Sequence, residues 1–387
     1  MIHFSKGVSL AYRVTRTIAA RLYYLRRDLE TDENFRKRLR YLPRVEKADD
    51  GAFRAYKKRW SGWTASTLIP RSEFDFYYTL NHVQTPDFIP ISVYFSTING
   101  SLNFLQMAWG YAQKGNYARM FDIDNEPVSL LRNLNGLFFD GAGNVVSDAR
   151  EYYNRKLKDY TKILVKPSID SSGGRNVFVF EKDQKDQWKC LNGDITPELD
   201  HLLKYYGRNY VVQEYLEQHP FFQKFNESSF NTIRIIVYRS PSDEKPRVLH
   251  SMLKAGSPGN VVDNMKVGSS AFFINPDGTF LYGRNSTFQR VDTLPSDPSI
   301  QLKDLGKIPA FDEMTGLAVN ISEKVPYNRL TAFDMNIDKN EKPRLVELNN
   351  YNAGVTSQIF GVPFFREYTQ EVIDYCKSHK KTDFLRI

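Results

Sequence analysis

The feature that most constrains this chain is a strand-like pair of runs with isolated ionisable groups set among apolar neighbours. Leu330-Thr-Ala-Phe-Asp-Met-Asn-Ile-Asp338 reads as a strand, Lys339-Asn-Glu-Lys342 as a turn, and Arg344-Leu-Val-Glu-Leu-Asn349 as the returning strand. Side chains two apart share a face of a strand, so Glu347 and Asn349 lie together, and Asp334 can stand opposite them. Glu347 sits among Leu345, Val346 and Leu348, and a carboxylate buried there needs a cation. Three oxygen-bearing side chains with no histidine or cysteine suit Mg²⁺ held jointly by protein and phosphates.

Three further stretches repeat the pattern of one charge in an apolar strand. Ile163-Leu-Val-Lys166 ends in lysine, then gives way to a loop, Ser168–Asn176, with three serines and two glycines. A lysine at the end of a buried strand is costly without an anion, and such a loop lets backbone amides approach phosphate oxygens. It is not a Walker loop, because GxxxxGK[ST] does not occur in the chain. Phe230-Asn-Thr-Ile-Arg-Ile-Ile-Val-Tyr238 carries Arg234, and Val248-Leu-His-Ser-Met-Leu253 leads to Lys254. Either cation pairs with a structural carboxylate or holds charge on a transferring phosphoryl group. Tyr210-Val-Val-Gln-Glu-Tyr-Leu216 is a strand whose polar end can offer backbone groups to an adenine edge, although a plain core strand reads the same.

Composition excludes several other classes. No stretch approaches ~18 uncharged apolar residues, and the N-terminal run Val8–Leu25 is broken by Arg13, Arg16 and Arg21. The expected setting is therefore the cytoplasm. Two cysteines, Cys190 and Cys376, make no disulfide framework and fit a reducing compartment. Six scattered histidines give no zinc spacing. The net charge of +8 is concentrated: residues 1–60 hold 16 lysines and arginines against 7 acidic residues, so the rest is close to neutral. That segment is either a solvated helix face or a contact for an anionic partner, such as a membrane surface at the inner face. No nucleic-acid motif accompanies the charge, and no nucleic acid is expected.

Three regions follow from the texture. Residues 1–85 read as a basic, mainly helical region, with Val14, Ile18, Leu22 and Leu25 on one helix face and a second helical stretch, Asn34–Leu42, closed by Pro43. Residues 86–160 read as an α/β part, in which Ile89, Ile91, Val93 and Phe95 alternate like a strand. Gly141-Ala-Gly-Asn144 makes a hairpin turn there, and a helix spans Ala149–Tyr160. Residues 161–387 carry the strand-borne charges.

Taken in order, these units resemble the ATP-grasp superfamily, most closely its sugar-transfer-associated branch, which is related to glutamate ligases. The matching stretches are Asn135-Gly-Leu-Phe-Phe-Asp140, Val165-Lys-Pro-Ser168 with Ser171-Ser-Gly-Gly174, and Gln213-Glu-Tyr-Leu-Glu-Gln-His219. Ser229-Phe-Asn-Thr-Ile-Arg234, Val262-Asp-Asn264 and Glu347-Leu-Asn349 followed by Gln358 continue them. The resemblance implies an α+β, ATP-grasp fold, with ATP between two α+β lobes behind a basic helical N-terminal region. It implies that Lys166 binds phosphate oxygens, that Ser171, Ser172, Gly173 and Gly174 close over the phosphates, and that Lys114 is the second, upstream lysine. Glu214, Tyr215 and Leu216 would hold adenine, Glu217 the ribose, and Asp334, Glu347 and Asn349 Mg²⁺. Arg234 and Lys254 would be catalytic, and Asn231, Asp263 and Asn264 would meet substrate. The implied reaction joins a carboxylate to an amine through an acyl phosphate, with a sugar or lipid-linked sugar among the candidate substrates. A kinase acting on a sugar-type hydroxyl, and a non-catalytic basic adaptor for membrane or nucleic acid, stay open as alternatives. The chain departs from the pattern at Lys254, where arginine is frequent, and at Ser269, where a second glycine is usual.

Overall fold

The structure is a computed structural model describing residues 6–66, 68–169, 174–256 and 269–379. Its N-terminal region is helical: α1 (Lys6–Leu39), α2 (Asp50–Trp60) and α3 (Arg71–Asn81). The two helical stretches expected within residues 1–42 are one continuous helix, because nothing between Leu25 and Asn34 breaks it and i,i+4 pairs such as Arg26–Glu30 and Arg36–Asp32 tie its turns.

The strand expected over Ile89–Phe95 is a helix instead. It runs through Ile91–Val93 and a π-helical turn, Tyr94–Ile98, into Asn99–Leu102. Ile89, Val93, Tyr94 and Ile98 are all buried. Ser92, Ser96 and Thr97 are buried as well, so the element shows no polar face and apolar alternation there does not distinguish strand from helix.

Two antiparallel sheets follow. The strands β1 (Ser129–Leu134), β2 (Leu137–Phe139), β3 (Lys162–Pro167), β4 (Phe178–Lys182), β5 (Trp188–Cys190) and β6 (Tyr210–Glu214) form the first, in the order β2-β1-β6-β3-β4-β5. The helices Ala149–Leu157 and Leu199–Tyr206 accompany it, and Tyr153, Ile163, Val165, Phe180, Leu202 and Tyr210 make its core.

The second sheet holds β7 (Thr232–Arg239), β8 (Pro246–Ala255), β9 (Ser270–Ile274), β10 (Phe280–Arg284), β11 (Arg290–Val291), β12 (Leu330–Ile337) and β13 (Pro343–Asn349). Its order is β11-β10-β9-β8-β7-β12-β13. Period-two alternation divides its residues between two cores. Ile233, Ile235, Phe333 and Met335 pack on the side of the helix Phe311–Glu323. Ile236, Tyr238, Leu330 and Ala332 pack under the N-terminal helices with Trp60, Phe74 and Tyr94.

Continuing β7 and β12 on that second side brings Arg234 and Asp334 into line, past the edge of the helical cover. The N-terminal helices thus fill one end of a sheet face and leave the other end to the charged residues. Gln358 ties the segment after β13 to that helical cover: its Oε1 accepts from Ile89 N at 2.6 Å and its Nε2 donates to Ile89 O at 3.0 Å.

Candidate active site

The β12–β13 hairpin pairs Asp334 with Glu347 and Ala332 with Asn349, with a bulge beside Asp334. The bulge matters because Leu345 and Leu348 both face the core; an extra residue between them lets Glu347 and Asn349 both face the cleft. Across the other edge of β12, Asp334 pairs with Arg234, and β8 brings Lys254 beside Thr232.

Asp334 is therefore surrounded by donors. Arg234 grips it with two bonds of 2.8 Å from Nε and Nη2, Lys254 Nζ lies at 3.0 Å and Asn349 Nδ2 at 3.2 Å. Burial alone would raise the pKa of this carboxyl, but Arg234 and Lys254 outweigh it and hold the group well below the usual carboxylate range.

A second cluster faces it. Lys114, buried, places Nζ 3.0 Å from Glu347 Oε1. Its backbone N donates to Ser168 O at 2.9 Å, which docks it against the end of β3, beside Lys166. The next residue, Gly115, adopts φ +78°, and a Cβ there would fall 2.7 Å from Val211 Cγ2. Only glycine lets the backbone pass so close to β6 in that conformation.

Lys166 is buried. Burial, then the neighbouring Lys114, push its pKa down to about 8, and Glu126 and Glu347 only partly offset this. Glu126 is buried too, with Oε2 accepting from Ala118 N at 2.8 Å, and burial raises its pKa. Glu126 did not stand out in the sequence, since an acidic residue before Pro127 looks like an ordinary turn. Arg132 was also missed: buried in β1, it donates to Gly115 O at 2.9 Å and Asn116 Oδ1 at 2.8 Å, which braces the Lys114 segment.

The remaining sequence candidates fall in three places. Glu214 ends β6, where its Oε1 accepts from Val128 N at 2.9 Å and from the guanidinium of Arg344. Tyr215 lies with Lys162 Nζ 4.3 Å from its ring centroid, Leu216 is half-buried, and Glu217 pairs with Lys339 at 3.1 Å on the surface. Asn231 is wholly buried and donates its amide to Gln218 Oε1, Phe222 O and Asn226 O, so it braces the approach to β7. Gly174 is described, at φ +70°, whereas Ser171, Ser172, Gly173, Asp263 and Asn264 lie outside the described residues.

The cleft thus gathers Lys114, Lys166, Arg234 and Lys254 around Glu126, Glu347 and Asp334. Four cations against three carboxylates, mostly shielded from water, make a site that favours a polyanion. Over residues 141–372 the sequence matches the sugar-transfer associated ATP-grasp family. The chain belongs to that family. Among solved structures, biotin carboxylase from Campylobacter jejuni aligns at 12% identity over 71% of this chain and 50% of that one, with a TM-score of 0.40. The D-cycloserine synthetase DcsG aligns at 10% identity over 70% of each chain, with a TM-score of 0.38. N5-carboxyaminoimidazole synthetase from Staphylococcus aureus, in complex with ADP, aligns at 10% identity over 68% of this chain and 52% of that one, with a TM-score of 0.39. This ATP-grasp chain therefore spans about half the length of the biotin carboxylase it aligns with. No curated protein matches the sequence.

The residues present fit an Mg-nucleotide by the chemistry of their donors. Among the described residues no three His, Cys, Asp or Glu side chains gather into a metal cage. Glu347 and Asn349 share a face opposite Asp334, an all-oxygen set that an Mg²⁺ ion can complete with phosphate oxygens.

Proposed function

We propose that the chain is an ATP- and Mg²⁺-dependent ligase that joins a small-molecule carboxylate to an amine through an acyl phosphate. The observation that carries this reading is the convergence of Lys114, Lys166, Arg234 and Lys254 on one cleft. A lysine desolvated as far as Lys166 is relieved by a bound anion, and a triphosphate supplies several. Glu347, Asn349 and Asp334 would hold Mg²⁺, which offsets charge on the phosphates. Glu214 to Glu217, at the end of β6, would border adenine and ribose.

The role of the two cations on Asp334 follows from their geometry. Arg234 and Lys254 are held in one place by the same carboxylate, so they meet a developing phosphoryl charge without reorganising. A carboxylate oxygen of the substrate attacks the γ-phosphorus, the bond to the bridging oxygen breaks and ADP leaves. The amine nitrogen then adds to the acyl carbon; the C–O bond to phosphate breaks, and the nitrogen loses a proton to solvent. Exclusion of water protects the acyl phosphate between these steps. The family's association with sugar transfer supports a sugar-derived or lipid-linked acceptor, and two free cysteines with no disulfide support a cytoplasmic setting for the reaction.

The test uses a panel of amino acids and uronic acids with Mg-ATP and hydroxylamine as the amine. The expected result is a hydroxamate, with ADP and free phosphate released only when carboxylate and amine are both present. Glu347→Gln should lower turnover by roughly 10³-fold while the chain still folds, at a lower thermal midpoint because Lys114 loses its carboxylate partner. A stable phosphorylated sugar, formed without amine and without free phosphate, would overturn the ligase reading in favour of a kinase.

A further inference from the structure

The long helix α1 has two apolar faces, and among the described residues one of them packs against the fold. On the first, Tyr24 and Phe35 are buried, Phe35 packs edge-on against Phe76 with ring centroids 5.3 Å apart, and Asp28 accepts from Ser66 Oγ at 3.0 Å and Leu68 N at 2.9 Å. On the second, Ile18, Leu22, Leu25 and Leu29 stand 54%, 62%, 39% and 53% exposed. Their spacing of four, three and four confines them to an arc of about 60° and to ~16 Å along the axis, roughly 110° round the helix from the docked face. Four aliphatic side chains in a row at this exposure are a continuous stripe, not scattered surface residues.

The charge beside the stripe decides what fits it. Between Lys6 and Arg27 the sequence has six lysines and arginines and no carboxylate. Arg21 and Arg26 fall on opposite flanks of the stripe, each roughly 70° from its centre. Arg26 shares its charge with Glu30 at 2.8 Å, but that pair is itself exposed and weakly held. A second copy of the chain would bring the same cations against the same flanks, and like charges repel. The boundary between acyl chains and acidic headgroups offers both complements at once: apolar depth for the leucines, and phosphates for arginines reaching outward along their stems.

We propose that this face of α1 docks the protein on an anionic lipid surface, with the helix lying in the interface. No described helix is long and apolar enough to cross a membrane, which is consistent with a helix that lies on one. The ATP cleft is built on β7, β8, β12 and β13, so docking and nucleotide binding use different residues and are separable by experiment.

The test is co-sedimentation of the full chain, without nucleotide, with vesicles of phosphatidylcholine alone or with about 30 mol% phosphatidylglycerol, first at low salt and then at ~0.3 M NaCl. At least tenfold tighter binding to the acidic vesicles is expected, weakening with salt. The double substitution Ile18→Ser with Leu22→Ser should reduce it at least tenfold at an unchanged thermal midpoint, because both side chains face solvent. Arg21→Glu with Arg26→Glu should do the same. Absence of binding at low salt overturns the proposal. So does equal binding by the serine variant, which would leave a purely electrostatic contact, and so does a wild-type dimer in sedimentation equilibrium that the serine variant converts to monomer.

Discussion

Two buried carboxyl groups on the same side of the seven-stranded sheet meet opposite fates. Glu73, in α3 under the N-terminal helices, accepts from Ile91 N at 2.9 Å and from Tyr77 OH at 3.4 Å, while its Oε2 has no hydrogen-bond partner. Burial pushes its pKa up to about 8, so at neutral pH it is mostly protonated. Asp334, at the uncovered end of the same face, is gripped by Arg234 and Lys254 and stays ionised. Glu73 therefore discards its charge, whereas Asp334 keeps its own by adding cations. Since desolvating three charges is expensive, their persistence at one end is what supports the proposal that an anionic ligand is received there.

The sharpest way to break this contrast is Asp334→Asn. The amide keeps the volume but leaves Arg234 and Lys254 without their carboxylate. Removing one partner of a buried ion pair costs about 3–5 kcal/mol, which should appear as a lower urea midpoint in the nucleotide-free protein. Inorganic pyrophosphate at millimolar concentration should restore part of the loss by taking up the freed cations. A variant as stable as the parent would show that the triad contributes little and that its charge is not the mark of the site.

The matching change at the other end should act in the opposite direction. The folded-state pKa of Glu73 lies above its unfolded value of 4.5, so the folded protein binds the extra proton between pH 4.5 and about 8. Stability from this group is full below pH 4.5 and is lost as pH rises through 8. Glu73→Gln stays neutral throughout. It should leave the thermal midpoint near that of the parent at pH 4.5 and raise stability at pH 8 by roughly 4 kcal/mol. Denaturation at the two pH values checks this, and an equal effect at both would show that Glu73 is not protonated in the fold.

The charged strands were legible in the sequence because a lone ionisable residue in an apolar run has few ways to be satisfied. Asp334, Glu347, Arg234 and Lys166 all fall in the strands expected for them, and the hairpin register puts Asp334 opposite Glu347. The bulge that turns Glu347 inward was not legible, since two-residue spacing describes either regular pairing or pairing with a slip. Ile89–Phe95 misled because its polar residue, Ser92, is buried with the apolar ones, which leaves no polar face to mark a helical period. Glu126 and Arg132 escaped for another reason: each acts through partners distant in sequence, Lys166 for one and the Gly115 carbonyl for the other. The exposed face of α1 was half legible. The spacing of Ile18, Leu22 and Leu25 implied a common face, but only the structure shows that this face does not pack against the fold.

The smallest expected effect concerns Lys166, whose charge sits between the two extremes. Its pKa of about 8 lies below the ordinary lysine value of 10.5, so below pH 8 the folded protein bears the cost of a buried ammonium. That cost is relieved as pH rises from about 8 towards 10.5, where the folded protein has released its proton and the unfolded chain still holds one. Nucleotide binding should follow the reverse course, because phosphate oxygens attract the ammonium and not the neutral amine. If binding requires the protonated form, Mg-ATP affinity should fall about tenfold between pH 7 and pH 9, a change near 1.4 kcal/mol. Lys166→Arg, which stays charged, should flatten this dependence, and Lys166→Met should flatten it at a weaker affinity. Isothermal titration across the range measures all three. A tenfold fall that persists in the methionine variant would assign the titration to another group and leave Lys166 as a structural cation paired with Glu126.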